Sequence, residues 1–100
     1  MLYIWIFGGG PPLIIYRLNL PETGINIRLL CQSQGLTPLQ LQKLLFLNTP
    51  QSIYHWYSGK SLPRVDNLYN LSILLNTPIN DILVAEPVDI TLDTLDGCYQ

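Results

Sequence analysis

Thr-Pro occurs three times in this chain, at Thr37-Pro38, Thr49-Pro50 and Thr77-Pro78, and an apolar pattern follows each pair. Proline lacks an N–H and clashes with a preceding helical turn, so helix interiors exclude it; at the first helical position its missing donor costs nothing. A threonine before it can cap the helix, because its hydroxyl accepts one of the orphan N–H groups of the first turn. The chain is therefore punctuated into short helices with marked starts. Gln40, three residues after Thr37, completes a capping box at the first of them.

The apolar spacing agrees with these starts. Ile27, Leu30 and Cys31; Leu41, Leu44 and Leu45; Ile53, Trp56 and Tyr57; Leu68, Leu71 and Leu75; and Ile79, Ile82 and Leu83 each fall on one face of a 3.6-residue helix. Gly35 and Gly59 stand where a C′ residue ends a helix. The pattern predicts five helices, over residues 24–34, 38–45, 50–58, 65–75 and 78–84. With 100 residues, 48% hydrophobic and only 12% charged, the chain has material for one packed core and no signature of disorder.

The net charge of −2 announces neither nucleic acid nor an anionic membrane, but its distribution is uneven. Between residues 22 and 84, Arg28, Lys43, Lys60 and Arg64 stand against Glu22, Asp66 and Asp81, a net +1, whereas residues 85–100 hold four acids and no base. Cys31 and Cys98 are far apart with no Cys or His at ligand spacing, so inert thiols in a reducing compartment are expected and no metal site.

The apolar stretches 1–7 and 13–16 are divided by Gly8 to Pro12, so no run approaches the roughly 20 residues of a membrane span. The first charge is Arg17, which leaves no basic n-region for a secretory signal. A cytoplasmic location is expected. The first segment reads either as a hairpin or membrane-touching arm, or as an extension outside the domain. The tail, with Ile90, Leu92 and Leu95 among Thr and Asp, reads either as an added strand or as a loosely ordered acidic extension. The expected organisation is an N-terminal extension 1–21, a helical domain 22–84 and an acidic tail 85–100.

The third helix separates into two faces. At about 100° per residue, Ile53, Trp56 and Tyr57 share the sector that faces the core, Gln51, His55 and Ser58 point the opposite way, and Ser52 and Tyr54 lie on the flanks. An ordinary solvated face carries Lys, Glu or Asp; none occurs between Gln51 and Ser58. Gln suits the N6 and N7 edge of adenine, Ser reaches either base type, and His can donate to guanine or a phosphate. Such a face fits a major-groove reader, a protein-binding face or an unexceptional surface. Only residues 46–49 join the second helix to the third, which forces a sharp crossing.

Gly35-Leu36-Thr37, the run Leu41 to Leu45, the string from Pro50 to Trp56, Gly59 to Pro63 and Asp66-Asn67-Leu68 together resemble the Xre/Cro-like helix-turn-helix family of bacterial and phage transcriptional regulators. The resemblance covers residues 22–84, and its most specific part is similar to a subgroup with a PQSIYHW-type recognition helix. It implies an all-α fold, a five-helix lambda-repressor-like helix-turn-helix domain with short N- and C-terminal extensions. It further implies a homodimer on double-stranded DNA with the third helix in the major groove. The family's base-reading positions fall on Gln51, Ser52 and His55, with Tyr54 beside them. Its backbone-contacting positions fall on Asn48, Thr49, Ser58, Lys60 and Ser61. Arg64 replaces a usual capping Ser and adds a cation near the DNA-facing loop. Pro38 replaces a Gln that touches phosphate in many members, and Phe46 stands where the turn usually has Gly.

The competing reading is a protein-binding helical module, antitoxin-like or immunity-like, with little DNA affinity. Lys60 and Arg64 in both halves of a dimer supply four ionic contacts, a salt slope of only about −3.6. Catalysis finds no support: His55 has no Cys or Asp nearby, and Gly8-Gly9-Gly10 lacks the Lys and helix of a phosphate loop. No cofactor, membrane partner or small-molecule ligand is expected.

Overall fold

The computed structural model describes residues 14–89. Five helices follow a first strand and precede a second: β1 (Ile14–Leu18), α1 (Leu20–Ser33), α2 (Pro38–Leu44), α3 (Gln51–Ser58), α4 (Val65–Leu74), α5 (Ile79–Ile82) and β2 (Ala85–Asp89). The fold is thus not purely all-α, because β1 and β2 pair as a two-stranded sheet. The two segments read as extensions each supply one strand, and neither could signal pairing alone, since a strand's partner lies outside its own sequence window. The helices form one compact unit from Leu18 to Ala85, and the strand residues outside that range belong to a second. The apolar stretch 1–7, the glycine run, Leu13, Cys98 and the tail beyond Asp89 lie outside the described residues.

Helix α1 begins four residues earlier than the periodicity predicts. Asn19 is its N-cap, accepting from the Glu22 N–H at 3.0 Å, and Pro21 occupies the first turn. Gly24 is therefore interior to the helix, not its start. The three Thr-Pro pairs act differently from one another. Thr37 forms the full capping box: its hydroxyl accepts from Gln40 N–H at 3.2 Å, and the Gln40 side chain accepts from Thr37 N–H at 2.9 Å. At the other two, the proline itself is the N-cap. Thr77 donates to the Leu75 carbonyl at 2.9 Å, closing the end of α4 instead of opening α5.

Four helices end alike. Gly35 and Gly59 take positive φ, as expected, and so do Phe46 (φ 55°) and Asn76 (φ 48°). In each case two successive N–H groups return to carbonyls of the last turn, as Gly35 to Gln32 at 3.0 Å and Leu36 to Cys31 at 2.9 Å do in α1. The turn after α2 therefore keeps the left-handed geometry despite its phenylalanine, and Phe46, 92% exposed, carries the strain.

The core is built from Ile27 and Cys31 of α1, Leu41 and Leu45 of α2, Ile53 and Trp56 of α3, Leu71 and Leu75 of α4, and Ile82 of α5. Leu30, Tyr57 and Leu68 pack on its margin, half-buried. Leu44, expected inside, is 48% exposed. On α2 it lies about 60° around the helix from Leu41, on the side away from Leu45, and a short helix buries only a narrow stripe. Burial pushes the Cys31 thiol above its ordinary range, partly countered by its hydrogen-bond partner Tyr57, so the thiol stays protonated. Two polar side chains fasten α1 to the end of α5. Buried Thr23 accepts from Val84 N–H at 2.9 Å, and Asn26 donates to the Asp81 and Ile82 carbonyls at 2.8 and 2.9 Å.

Candidate nucleic-acid interface

Helix α3 is held at both ends before its outer face is presented. At its N-terminal side, Gln42 of α2 donates to the Leu47 carbonyl at 3.3 Å and the Asn48 carbonyl at 3.1 Å, and Leu47 N–H returns to the Gln42 carbonyl at 2.9 Å. Thr49 accepts from Gln51 N–H at 3.3 Å, which satisfies one orphan donor of the first turn. At its C-terminal side α3 meets α1 backbone to backbone. A Cβ on Gly24 would overlap the Trp56 carbonyl oxygen and stand 2.6 Å from that of Tyr57. One on Gly59 would stand 2.7 Å from Pro21 Cα. Only glycine permits this approach.

With the helix so fixed, Ile53 is fully buried and Trp56 nearly so, as the projection required. Tyr57, half-buried, turns inward: burial, with Cys31 beside it, pushes its hydroxyl well above the ordinary phenol range. Gln51, Tyr54 and Ser58 are exposed, while Ser52 and His55 are half-buried at the border. Gln51 Nε2 and His55 Nε2 are 3.2 Å apart. Ser58 donates to the His55 carbonyl at 3.2 Å, so its hydrogen is engaged within the helix and its oxygen remains an acceptor. The Tyr54 ring meets that of Tyr57 edge-on at 6.5 Å.

Asn48, Thr49, Lys60, Ser61 and Arg64 are all exposed around the two ends of the helix. Arg64 lies 4.0 Å from Asp66 with both side chains largely in solvent, a pair too exposed and too long to hold the guanidinium. As N-cap of α4, Arg64 supplies no side-chain bond. Two residues that the linear reading did not single out for this surface belong to it. Gln42 shapes the turn, and its sequence signal, an amide ahead of a short connection, is too common to be decisive. Arg28 of α1 lines a cleft of about 430 Å³ with Gln32, Tyr54 and Ser58, which adds a cation beside α3. No local pattern reveals that proximity, since Arg28 and Tyr54 are brought together only by helix packing.

Among the described residues no group of three or more His, Cys, Asp or Glu could hold a metal ion, and no helix is long and apolar enough to cross a membrane. No family model and no curated protein matches the sequence. Among solved structures, the chain is similar to the crystal structure of the restriction-modification controller protein C.AhdI from Aeromonas hydrophila. The TM-score is 0.56 at 21% identity, over 63% of this chain and 94% of that one. The two share a fold.

Proposed function

We propose that this chain is a small transcriptional regulator of the Xre/Cro-like helix-turn-helix type, which binds double-stranded DNA sequence-specifically as a homodimer with α3 in the major groove. The observation that carries this reading is the outer face of α3: rigidly mounted, free of charge from Gln51 to Ser58, and furnished with hydrogen-bonding side chains. Gln51, Ser52, Tyr54 and His55 meet base edges; Asn48, Thr49, Ser58, Lys60, Ser61 and Arg64 meet the backbone, where phosphate contacts fix register. The shared fold with a restriction-modification controller protein supports the same reading. Selection from random duplex DNA at low salt, followed by gel shift of the recovered site, tests it. A two-fold site with half-sites about 10 to 10.5 base pairs apart, or a multiple of that, is expected; undetectable duplex binding overturns the reading.

A protein-binding role is favoured by one specific observation. Val65, Tyr69 and Ile73 of α4, four residues apart, are 83%, 61% and 60% exposed and form an apolar stripe. A second copy covering that stripe reconciles it with a dimeric DNA reader. Tyr69→Asp, measured by sedimentation, then lowers the dimer fraction, whereas a foreign protein partner leaves the wild type monomeric.

A further inference from the structure

The cleft of about 430 Å³ beside α3 is walled by three helices: Arg28 and Gln32 come from α1, Leu36 and Pro38 from the turn into α2, and Tyr54 and Tyr57 from α3. Its volume lies in the range of small-molecule sites. Two of its walls are fixed beforehand, because α1 and α3 meet backbone to backbone at Gly24. The lining divides by chemistry. Arg28 and Gln32 stand one helical turn apart on α1, so a guanidinium and an amide bring N–H donors to the cleft together. Among the described residues Arg28 has no ion-pair partner, the one pair being Arg64 with Asp66, and no carboxylate lines the cleft. The charge of Arg28 is felt inside it: burial raises the Tyr57 hydroxyl, and the guanidinium draws it partly back down. The rest of the lining is mostly apolar, with Leu36, Pro38 and Tyr57 half-buried and the exposed Tyr54 ring edge-on to Tyr57 at 6.5 Å.

An unpaired guanidinium accepts a carboxylate or a phosphate alike by charge, and the apolar walls decide between them. A backbone phosphate is hydrated and gains nothing from Leu36 or Pro38. A planar ring bearing one carboxylate sets its ring against the apolar side and its charge on the fork of Arg28. We propose that the cleft is a binding site for a small aromatic carboxylate, held through its charge by Arg28 and Gln32 and through its ring by Leu36, Pro38 and the two tyrosines. The sequence leads to no such ligand, because the residues that hold it come from three separate elements. Tyr54 also belongs to the outer side of α3, so an occupied cleft weakens DNA binding. That consequence rests on the DNA-reading role of α3, whereas the binding itself does not.

Binding is measured without DNA. In a nitrogen–proton correlation spectrum of the full chain titrated with indoleacetate, saturable shifts centred on Arg28, Gln32 and Tyr54 are expected, with a Kd of about 1 mM or tighter. Indole, which lacks the carboxylate, and inorganic phosphate, which lacks the ring, should each bind about tenfold more weakly or worse. Arg28→Gln and Tyr54→Ala should cost a similar factor, while Lys43→Gln, outside the cleft, should cost nothing. Thermal melting checks that each variant is folded; if one is not, the probe series on the wild type carries the test. Absence of saturable binding, phosphate as tight as indoleacetate, or an equal loss in Lys43→Gln overturns the site. The consequence is measured by gel shift on the duplex recovered by selection. Saturating indoleacetate should lower wild-type affinity by about fivefold or more, and the drop should vanish in Arg28→Gln. Binding of the probe without any drop overturns the coupling and leaves the site in place. If the wild type binds no duplex even without the probe, the DNA-reading role of α3 is what fails, and the spectrum still decides the cleft.

Discussion

Phe46 shows most directly how single residues decide this structure. The turn after α2 requires a left-handed residue, and a side chain with a Cβ there costs about 1 to 2 kcal/mol. The ring returns little, being almost fully in solvent. Phe46→Gly should therefore stabilise the fold by about 0.5 to 1 kcal/mol, once the greater freedom of glycine in the unfolded chain is subtracted, and raise the urea midpoint. A fall would mean that the ring contributes packing after all. Gly24 is the opposite case. Its substitution by alanine drives a methyl into backbone carbonyls that cannot move independently. Gly24→Ala should thus destabilise by about 3 kcal/mol or more, at the upper end of overpacking costs, and a thermal melt near that of wild type would show that α1 and α3 can separate.

At the scale of the element, α3 divides stability from recognition between its two faces. Trp56 is 4% exposed. Trp56→Ala should cost about 3 to 5 kcal/mol, a large share of the total available to a small domain. Gln51→Ala, on the other face, should leave stability within about 0.5 kcal/mol while weakening the preferred DNA site by about 1 to 3 kcal/mol. Chemical denaturation and gel shift on the same samples separate the two effects; loss of stability in Gln51→Ala would show that the outer face supports the fold.

Over the whole molecule, charge and ionisation set the response to solution conditions. Four cations against three carboxylates in the helical unit predict a shallow salt dependence. If Arg28, Lys60 and Arg64 all approach phosphates, neutralising any one should lower the magnitude of the slope by about 0.9 per contact removed, for all sequences alike. An unchanged slope for Arg28→Gln would place the cleft beside α3 off the DNA. The buried thiol predicts the effect of alkali. Cys31 holds its proton above the ordinary value of 9.0, so below that value both folded and unfolded chains are protonated and stability is full. As pH rises further the unfolded chain releases a proton that the native state retains, and stability falls. Tyr57, raised for the same reason, extends the loss to higher pH. Denaturation between pH 7 and 10 should show this decline, and Cys31→Ala should flatten its first part.

What the sequence determined by itself is local. Proline without an N–H, a capping hydroxyl and a repeat near 3.6 residues act within one turn, and so the five helices, the capping box at Thr37 and the inward side of Ile53 and Trp56 were all legible. The role of Thr77-Pro78 was less so, because a threonine hydroxyl can close one helix as readily as open the next. Tertiary structure alone decided that Ile14–Leu18 pairs with Ala85–Asp89, that Gly24 admits α3 against α1, that Thr23 and Asn26 bind the end of α5, and that Arg28 reaches the side of Tyr54. Each of these joins residues from separate elements, and the energy of such a contact depends on packing that no window of sequence contains.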